Sequence, residues 1–351
     1  NKQVFNAAAN DGWASGHCIC EDCRAWDHPD GELRTFRWEG LAQQYVALSD
    51  RHVRLANRCA RLLKEEFPEK DYYVSTLAYG HSRPPPIEAV PDENVIIASV
   101  ANFIFRHGMK DRGSPRGMTH REQFKGWGDV ASRLMWRPNT GSPVGWQQGL
   151  PDVAIHKAIN DFKFVADLNC IGIRIDSVWE HWATQGPLYY VMAKLTWNPA
   201  LDGDAILADY YRRGFGPAAE QLASYWTLLE DTRNKAKASD RKYWEIYNDA
   251  FFKTAYGFLD KAATKVADTE GKYSERVAFM RSGLDFTRLV AENRRLAERY
   301  RESERTDKEA ADKMRANYEA IRAICEKFPY AINWGPLRPR TGRLVHPDHM
   351  R

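Results

Sequence analysis

Apolar and polar positions alternate along the first half of the chain in a pattern that predicts strands separated by helices. Short apolar stretches rich in β-branched residues are each bounded by Gly, Pro or charged residues. We predict strands over 2–9, 71–79, 94–103, 132–139 and 170–178. Helical periodicity fills most of the intervals, and we predict helices over 40–67, 119–131 and 150–168. Nearly continuous apolar strands that alternate with helices are typical of a parallel sheet covered by helices.

From Gly203 onward the pattern changes to helices alone. Residues 202–230 predict two helices broken at the Gly-Phe-Gly-Pro of 214–217, and amphipathic periodicity continues to about residue 328. The outer faces of these helices are rich in Lys, Arg and Glu. The sequence therefore predicts an α/β domain over 1–200, an all-α helical domain over 201–335 and a C-terminal tail over 336–351.

Five strands that are each closed by a helix predict a fold of the (β/α)8 TIM-barrel type. This chain would hold about the last five strands, and an upstream segment or a second chain would complete the barrel. A five-stranded doubly wound sheet is the alternative. No Gly-rich phosphate loop of the GxGxxG or GxxxxGK[ST] kind follows any predicted strand, which disfavours nucleotide binding.

Composition narrows the class of partner. The 351 residues are 43% hydrophobic and carry a formal net charge of +4, with basic and acidic residues interspersed, so no nucleic-acid partner is expected. The longest apolar run, 95–105, is too short to span a membrane. Twelve Trp are many for this length, and several lie beside Gly and Pro, where their flat rings suit the apolar faces of sugars.

Carboxylates follow several of the predicted strands, and glycoside hydrolysis needs a pair of them. We expect Glu180 to be the general acid/base, because Trp179 and Trp182 would strip water from it and raise its pKa. Asp11 is the candidate for the second carboxylate, and Asp176 for orienting a sugar hydroxyl. The candidate substrate-binding residues in the strand-end loops are Trp13, Tyr79, His81, Arg137, Trp146, Trp179 and Trp182.

The loop after the first strand contains Cys18, Cys20 and Cys23 in CxCxxC spacing, preceded by His17. Thiolate and imidazole ligands suit a structural zinc, but a disulfide within the loop and free thiols remain equally open. No other cofactor is required by the expected chemistry. His52, His120 and His156 fall on predicted helices without partners, and we expect them at the surface or at helix ends.

Several segments together resemble a bacterial family known as domain of unknown function 4838, part of which is classified as glycoside hydrolase family 163. They are NDGWASGHCICEDC (10–23), STLAYGHSRPPP (75–86), the run from WEHW through TLLE (179–230), and RVAFMRSGLDF (276–286). The resemblance implies a (β/α)8 barrel with a helical extension and a carbohydrate substrate. Asp11 matches the family's Asp-Gly before its cysteines, and Glu180 before Gly186 is similar to the family's acidic residue.

The characterised branch of that family acts on complex N-glycans as an endo-β-N-acetylglucosaminidase. The resemblance therefore implies a glycoside hydrolase, either such an enzyme or a related hexosaminidase, with an oligosaccharide or glycan as its partner. A non-catalytic carbohydrate-binding protein and a helical partner-binding scaffold are the alternatives. The chain begins with Asn rather than Met, which leads us to expect a processed, exported or periplasmic bacterial protein.

Overall fold

The chain is described by a computed structural model in two compact units. The described residues are 3–8, 16–38, 41–100, 115–138, 149–168, 170–176, 178, 180–235, 243–269, 272–333 and 346–349. Those within 1–139 and 160–176 form one unit, which we call the sheet unit. Those within 140–159 and 177–351 form the other, the helical unit.

Seven strands are described, and five of them form one parallel sheet. In chain order the strands are β1 (Val4–Asn6), β2 (Leu33–Trp38), β3 (Leu41–Val46), β4 (Tyr73–Ala78), β5 (Val95–Ser99), β6 (Leu134–Trp136) and β7 (Cys170–Ile173). The sheet has the order β1-β4-β5-β6-β7, and every neighbouring pair is parallel. The predicted parallel sheet is therefore confirmed. Its order follows the chain without the reversal that marks the switch point of a doubly wound sheet.

Most of the helices have bounds close to those that periodicity predicts, but the helices over 21–24 and 182–197 were not predicted. They are α1 (Glu21–Arg24), α2 (Ser49–Glu66), α3 (Pro115–Val130), α4 (Ile155–Ala166), α5 (Trp182–Trp197), α6 (Gly203–Phe215), α7 (Ala219–Lys235), α8 (Asp249–Val266), α9 (Tyr273–Glu302) and α10 (Lys308–Lys327). The break between α6 and α7 falls at Gly216, whose φ of 49° lies in the left-handed region that favours glycine. The helical unit also includes α5, which precedes the domain boundary predicted at residue 200.

One predicted helix is wrong in its first part. Residues 41–46 do not begin a helix that runs to 67, because they form β3, which pairs antiparallel with β2. Arg34 lies opposite Tyr45 in this hairpin, and α2 begins only at Ser49. The hairpin joins two short stretches that contain Thr, Val and aromatic residues and are separated by only Glu39-Gly40, a signal that the longer helical pattern of 49–66 obscured.

Each unit has its own apolar core. In the sheet unit Trp127, Trp136, Phe124 and Phe162 are fully buried, and Trp136 meets Phe162 edge to face with ring centroids 5.1 Å apart. Some of the Trp residues thus serve packing rather than sugar binding. In the helical unit the largest buried side chains are Trp226, Tyr225, Tyr247 and Phe286. Among the described residues, no helix is long and apolar enough to cross a membrane.

Candidate functional site

At the ends of β6 and β7 in the sheet unit, Arg137 and Asp176 form an ion pair. Arg137 Nη2 donates to Asp176 Oδ2 at 2.9 Å, and the two side chains are 19% and 29% exposed. The Asp176 N–H also donates to the carbonyl of Pro138, which continues the pairing of the two strands. This ion pair neutralises the Asp176 carboxylate and holds Arg137 in place. Asp176 is therefore better suited to positioning than to attacking a substrate.

A cluster of aromatic side chains lies at the end of β4, where sequence analysis placed Tyr79 and His81. Tyr79 and His81 are both half-buried. His81 Nδ1 shares a hydrogen bond with the hydroxyl of Tyr45, and the ring of His17 lies 4.7 Å from Tyr45 and 5.7 Å from His81. Burial is the main cause that lowers the pKa of both histidines. The cluster thus presents neutral imidazoles and a phenol, all able to hydrogen-bond a hydroxyl.

Two residues of this cluster were missed by sequence reasoning. Tyr45 comes from β3, and Arg34 of β2 donates to the carbonyl of Gly80 at 3.2 Å. Both lie on the hairpin whose second strand was predicted as helix. The short strand-like runs LRTFRW (33–38) and LAQQYV (41–46), separated by only Glu39-Gly40, are the signal that could have revealed them.

The three cysteines after β1 converge. The Sγ atoms of Cys18, Cys20 and Cys23 all lie within 4.8 Å of one another, and those of Cys18 and Cys20 are 3.4 Å apart. Hydrogen bonds with Cys18 and Cys20 raise the pKa of Cys23 to about 11, whereas a hydrogen bond with the Cys20 backbone is the main cause that lowers the pKa of Cys18. All three thiols are free. His17 is not part of this group, because its ring packs against Tyr45 and His81.

In the helical unit, Glu180 has a φ of 56°, the left-handed region that non-glycine residues rarely adopt. Its side chain is exposed, and its Oε2 accepts a hydrogen bond from Asn333 Nδ2 at 3.3 Å. The expected dry environment between two indoles is therefore not present among the described residues. Trp182 is 41% exposed and lies edge to face against Tyr189, with ring centroids 5.1 Å apart.

His181, next to Glu180, is completely buried and binds the backbone of the segment after α10. Its Nδ1 accepts the backbone N–H of Asn333 at 3.1 Å, so the neutral ring carries its proton on Nε2. Burial lowers the pKa of His181 to about 3, which keeps the ring neutral at physiological pH. The first N–H groups of α5 donate to the carbonyls of Tyr330 and Ala331. The segment after α10 thus holds the backbone on which Glu180 sits.

The helical unit also contains a cleft that the sequence did not predict. His156 was expected to lack a partner, but its Nδ1 lies 2.6 Å from Glu230 Oε2 and its Nε2 lies 3.4 Å from Asp204. These residues line a cleft of about 440 Å³ between α6 and α7, together with Trp226 and Tyr211.

His120 of the sheet unit was expected at the surface or at a helix end, but it is buried and close to Arg83. The partners of His156 and His120 lie 37 to 74 residues away in sequence, which helical periodicity cannot reveal.

Four of the sequence-predicted site residues lie outside the described residues: Asp11, Trp13, Trp146 and Trp179. One aromatic residue that sequence reasoning did not select is Trp197, at the end of α5, whose side chain is 90% exposed. Its position in the Leu-Thr-Trp-Asn-Pro segment (195–199) is the signal that could have drawn attention to it.

Comparison with known proteins gives a family and no function. No curated protein and no solved structure matches the chain. A family model described as Domain of unknown function (DUF4838) matches residues 1–227, which include the whole sheet of the sheet unit as well as α5 and α6. The chain is therefore a member of the DUF4838 family.

Proposed function

We propose that the chain is a glycoside hydrolase that cleaves glycans by acid/base catalysis with paired carboxyl groups. The observation that carries the proposal is the left-handed backbone of Glu180, which follows the carboxyl end of β7. A non-glycine residue in this region stores about 1–3 kcal/mol of strain, and such strain persists where the surrounding structure imposes it, often at active sites. The buried His181 and the bonds to Tyr330 and Ala331 supply that constraint.

The proposed roles follow from the contacts of each side chain. Glu180 donates a proton to the leaving-group oxygen, and Asn333 orients its carboxyl group. Asp11, which lies outside the described residues, is the proposed second carboxylate of the pair that glycoside hydrolysis needs. Asp176 holds Arg137, which would donate to a sugar hydroxyl. Trp182 offers part of its indole face to a sugar ring.

The proposed fold around these residues is a (β/α)8 barrel. The sheet order follows the chain, as adjacent strands of such a barrel do, and in these barrels the catalytic residues lie at the carboxyl ends of the strands. A closed barrel needs three further parallel strands, which an upstream segment or a second chain would supply. Its proposed substrate is a glycan with an N-acetylglucosamine unit, supported by the resemblance to glycoside hydrolase family 163.

The test compares two substitutions of the same kind. Glu180→Gln should lower turnover of an aryl β-N-acetylglucosaminide by about 10²–10⁴-fold, because the general acid is lost. The loss should be larger on a substrate with a poor leaving group than on one with an activated phenol. Glu304→Gln is the matched control, since Glu304 also has a left-handed backbone, with a φ of 51°, but lies in the turn that follows α9. Its turnover should equal that of the wild type.

The proposal fails if Glu180→Gln retains wild-type turnover on the poor leaving group. A panel that includes an aryl α-glucuronide tests whether another glycosidic linkage is cleaved instead. Activity on that substrate alone would overturn the proposed N-acetylglucosamine specificity while leaving the class of enzyme intact.

A non-catalytic carbohydrate-binding protein is the second candidate, favoured by the exposure of Glu180. A general acid gains from a water-poor environment, and a residue that only hydrogen-bonds a sugar does not need one. This candidate predicts that glycan binding is weakened by Trp182→Ala and that no substrate of the panel is hydrolysed.

A further inference from the structure

The three thiols after β1 are already close to the spacing that a metal ion imposes on its ligands. In a tetrahedral zinc site with Zn–S bonds of about 2.3 Å, the sulfur atoms lie about 3.8 Å apart. The Sγ atoms of Cys18 and Cys20 are 3.4 Å apart, and all three lie within 4.8 Å of one another. Shifts of about one ångström would therefore bring them to ligand distance.

The backbone that carries these thiols is fixed by contacts that do not involve sulfur. Arg51 of α2 donates to the carbonyl of Cys18 at 2.8 Å, and it pairs with both carboxylate oxygens of Asp27 at 2.9 and 2.5 Å. The Arg51 and Asp27 side chains are only 12% and 11% exposed. Cys20 precedes α1 and Cys23 lies within it, so one short helical turn sets their separation. The thiols are held together before any ion binds.

We propose that Cys18, Cys20 and Cys23 bind one zinc ion through three thiolates, with a water or another exchangeable ligand in the fourth position. Thiolates select zinc over magnesium or calcium, which prefer oxygen. The described residues supply three donors at this point, because His17 packs against Tyr45 and His81 instead. A disulfide would join two of the sulfurs at about 2.05 Å and would not account for the convergence of the third.

A bound zinc ion would cross-link the segment that contains Cys18, Cys20 and Cys23. Zinc would link residues on both sides of the turn before α1, and Arg51 already ties the same segment to α2. Cys18 and Cys20 are exposed, so the ion would be accessible to chelators and would exchange readily. This inference does not depend on the proposed glycosidase activity.

The test measures how much zinc the 351-residue chain binds when its thiols are reduced. After incubation with zinc and gel filtration, we expect one zinc per chain by elemental analysis. Cys20→Ser should lower the zinc affinity by about a hundredfold or more, because losing a ligand exceeds the 10–100-fold effect of losing a group that only orients one. Cys59→Ser removes a half-buried thiol of α2 outside the cluster and should leave the affinity unchanged.

A second measurement needs no variant. Zinc should slow the alkylation of three thiols in the wild type, and a chelator should restore their rate. Cobalt in place of zinc should give a thiolate-to-metal absorption band that loses about one third of its intensity in Cys20→Ser, as one of three thiolates is removed. Zinc binding that is equal in the wild type and Cys20→Ser, or a purified protein two hydrogens lighter with Cys18 joined to Cys20, would overturn the proposal.

Discussion

First-turn and cap carboxylates or amides serve different purposes in three helices of the helical unit and in α2 of the sheet unit. In the helical unit α6, α8 and α10 are each capped by the residue immediately before them, respectively Asp202, Asn248 and Asp307. In the sheet unit α2 has no such side-chain cap. Its first-turn carboxylate, Asp50, instead accepts the backbone N–H groups of Ile87, Glu88 and Ala89 at 2.7–3.0 Å.

The ion pairs show the same contrast. In the helical unit Asp209 pairs with Arg212 and Arg213, and Arg322 with Glu319, within one turn of a helix. Pairs of the sheet unit join residues that are distant in sequence: Arg51 with Asp27, Arg54 with Glu88, Arg61 with Asp92, and Arg137 with Asp176. The pairs within one turn stabilise their own helix, while other pairs of the helical unit, such as Arg233 with Asp152 and Arg281 with Asp260, join different elements. Those of the sheet unit fix loops to one another, which is what positions a site.

The largest change in the free energy of unfolding is expected for a buried ion pair of the helical unit whose residues are distant in sequence. In the helical unit Arg233 Nε donates to Asp152 at 2.8 Å across 81 residues, and the two side chains are 3% and 2% exposed. Arg233→Leu would remove the buried guanidinium that pairs with the Asp152 carboxylate, so we expect the free energy of unfolding to fall by about 3–5 kcal/mol in urea denaturation. Arg281→Leu, which breaks the more exposed pair with Asp260, should change it by less than about 1 kcal/mol. Equal losses would contradict this distinction.

A somewhat smaller loss is expected in the sheet unit at Asp50. Asp50→Ala would remove the charged acceptor of three backbone N–H groups, and a hydrogen bond to a charged group contributes about 1.5–3 kcal/mol. We expect the free energy of unfolding to fall by about 3 kcal/mol. Asp71→Ala, at an exposed aspartate of the same unit, should change it by less than about 0.5 kcal/mol. A loss below 1 kcal/mol for Asp50→Ala would show that water replaces the carboxylate.

Two glycines of the helical unit should respond in opposite directions to the same substitution. A Cβ on Gly283 of α9 would lie 2.5 Å from the carbonyl oxygen of Ala183, whereas one on Gly257 of α8 would meet nothing within 4 Å. Gly283→Ala should therefore destabilise by about 1–3 kcal/mol. Gly257→Ala should stabilise by about 0.5–1 kcal/mol, because alanine loses less entropy in a helix. Thermal unfolding of both variants checks the pair, and the same sign for both would refute it.

The contrast between the units explains what the sequence could predict. The parallel sheet and the helices after Gly203 follow from periods of two and 3.6, which are local properties of the chain. The hairpin of β2 and β3 was missed because its two strands are stabilised mainly by each other and by contacts such as Arg34 with Gly80, 46 residues away. The Cys cluster was visible because all of its members lie within six residues.

The candidate site could be predicted only in part. Arg137 and Asp176 were selected separately because each follows a strand, and adjacent parallel strands bring their ends together, but their ion pair was not predicted. The environment of Glu180 could not be predicted, because Asn333, which donates to both Glu180 and His181, lies about 150 residues later in the chain. The same holds for Tyr45 beside His81 and for Glu230 beside His156. Long-range polar contacts leave no periodic signal.

Removing the side-chain cap of α8 should lower the free energy of unfolding only modestly and should affect mainly the first turn of that helix. Asn248 Oδ1 accepts the N–H of Phe251 at 3.0 Å at the start of α8. Asn248→Ala should lower the free energy of unfolding by about 1 kcal/mol, and Asn248→Asp should preserve it because the acceptor remains. Amide hydrogen exchange in the first turn of α8 provides the measurement. Equal destabilisation by both substitutions would show that the side chain acts otherwise than as a cap.

The smallest effect concerns the pH dependence of the helical unit through His156. The hydrogen bond with Glu230 is the main cause that raises the pKa of His156 above its ordinary value of 6.5. A group whose pKa rises on folding stabilises the protein fully below its unfolded pKa, and this contribution is lost as the pH rises through the folded value. Because the imidazole is 62% exposed, solvent weakens the effect. Melting temperature should therefore fall more from mildly acidic to alkaline pH in the wild type than in His156→Gln or Glu230→Gln. A wild-type slope retained by Glu230→Gln would assign the pH dependence to another group.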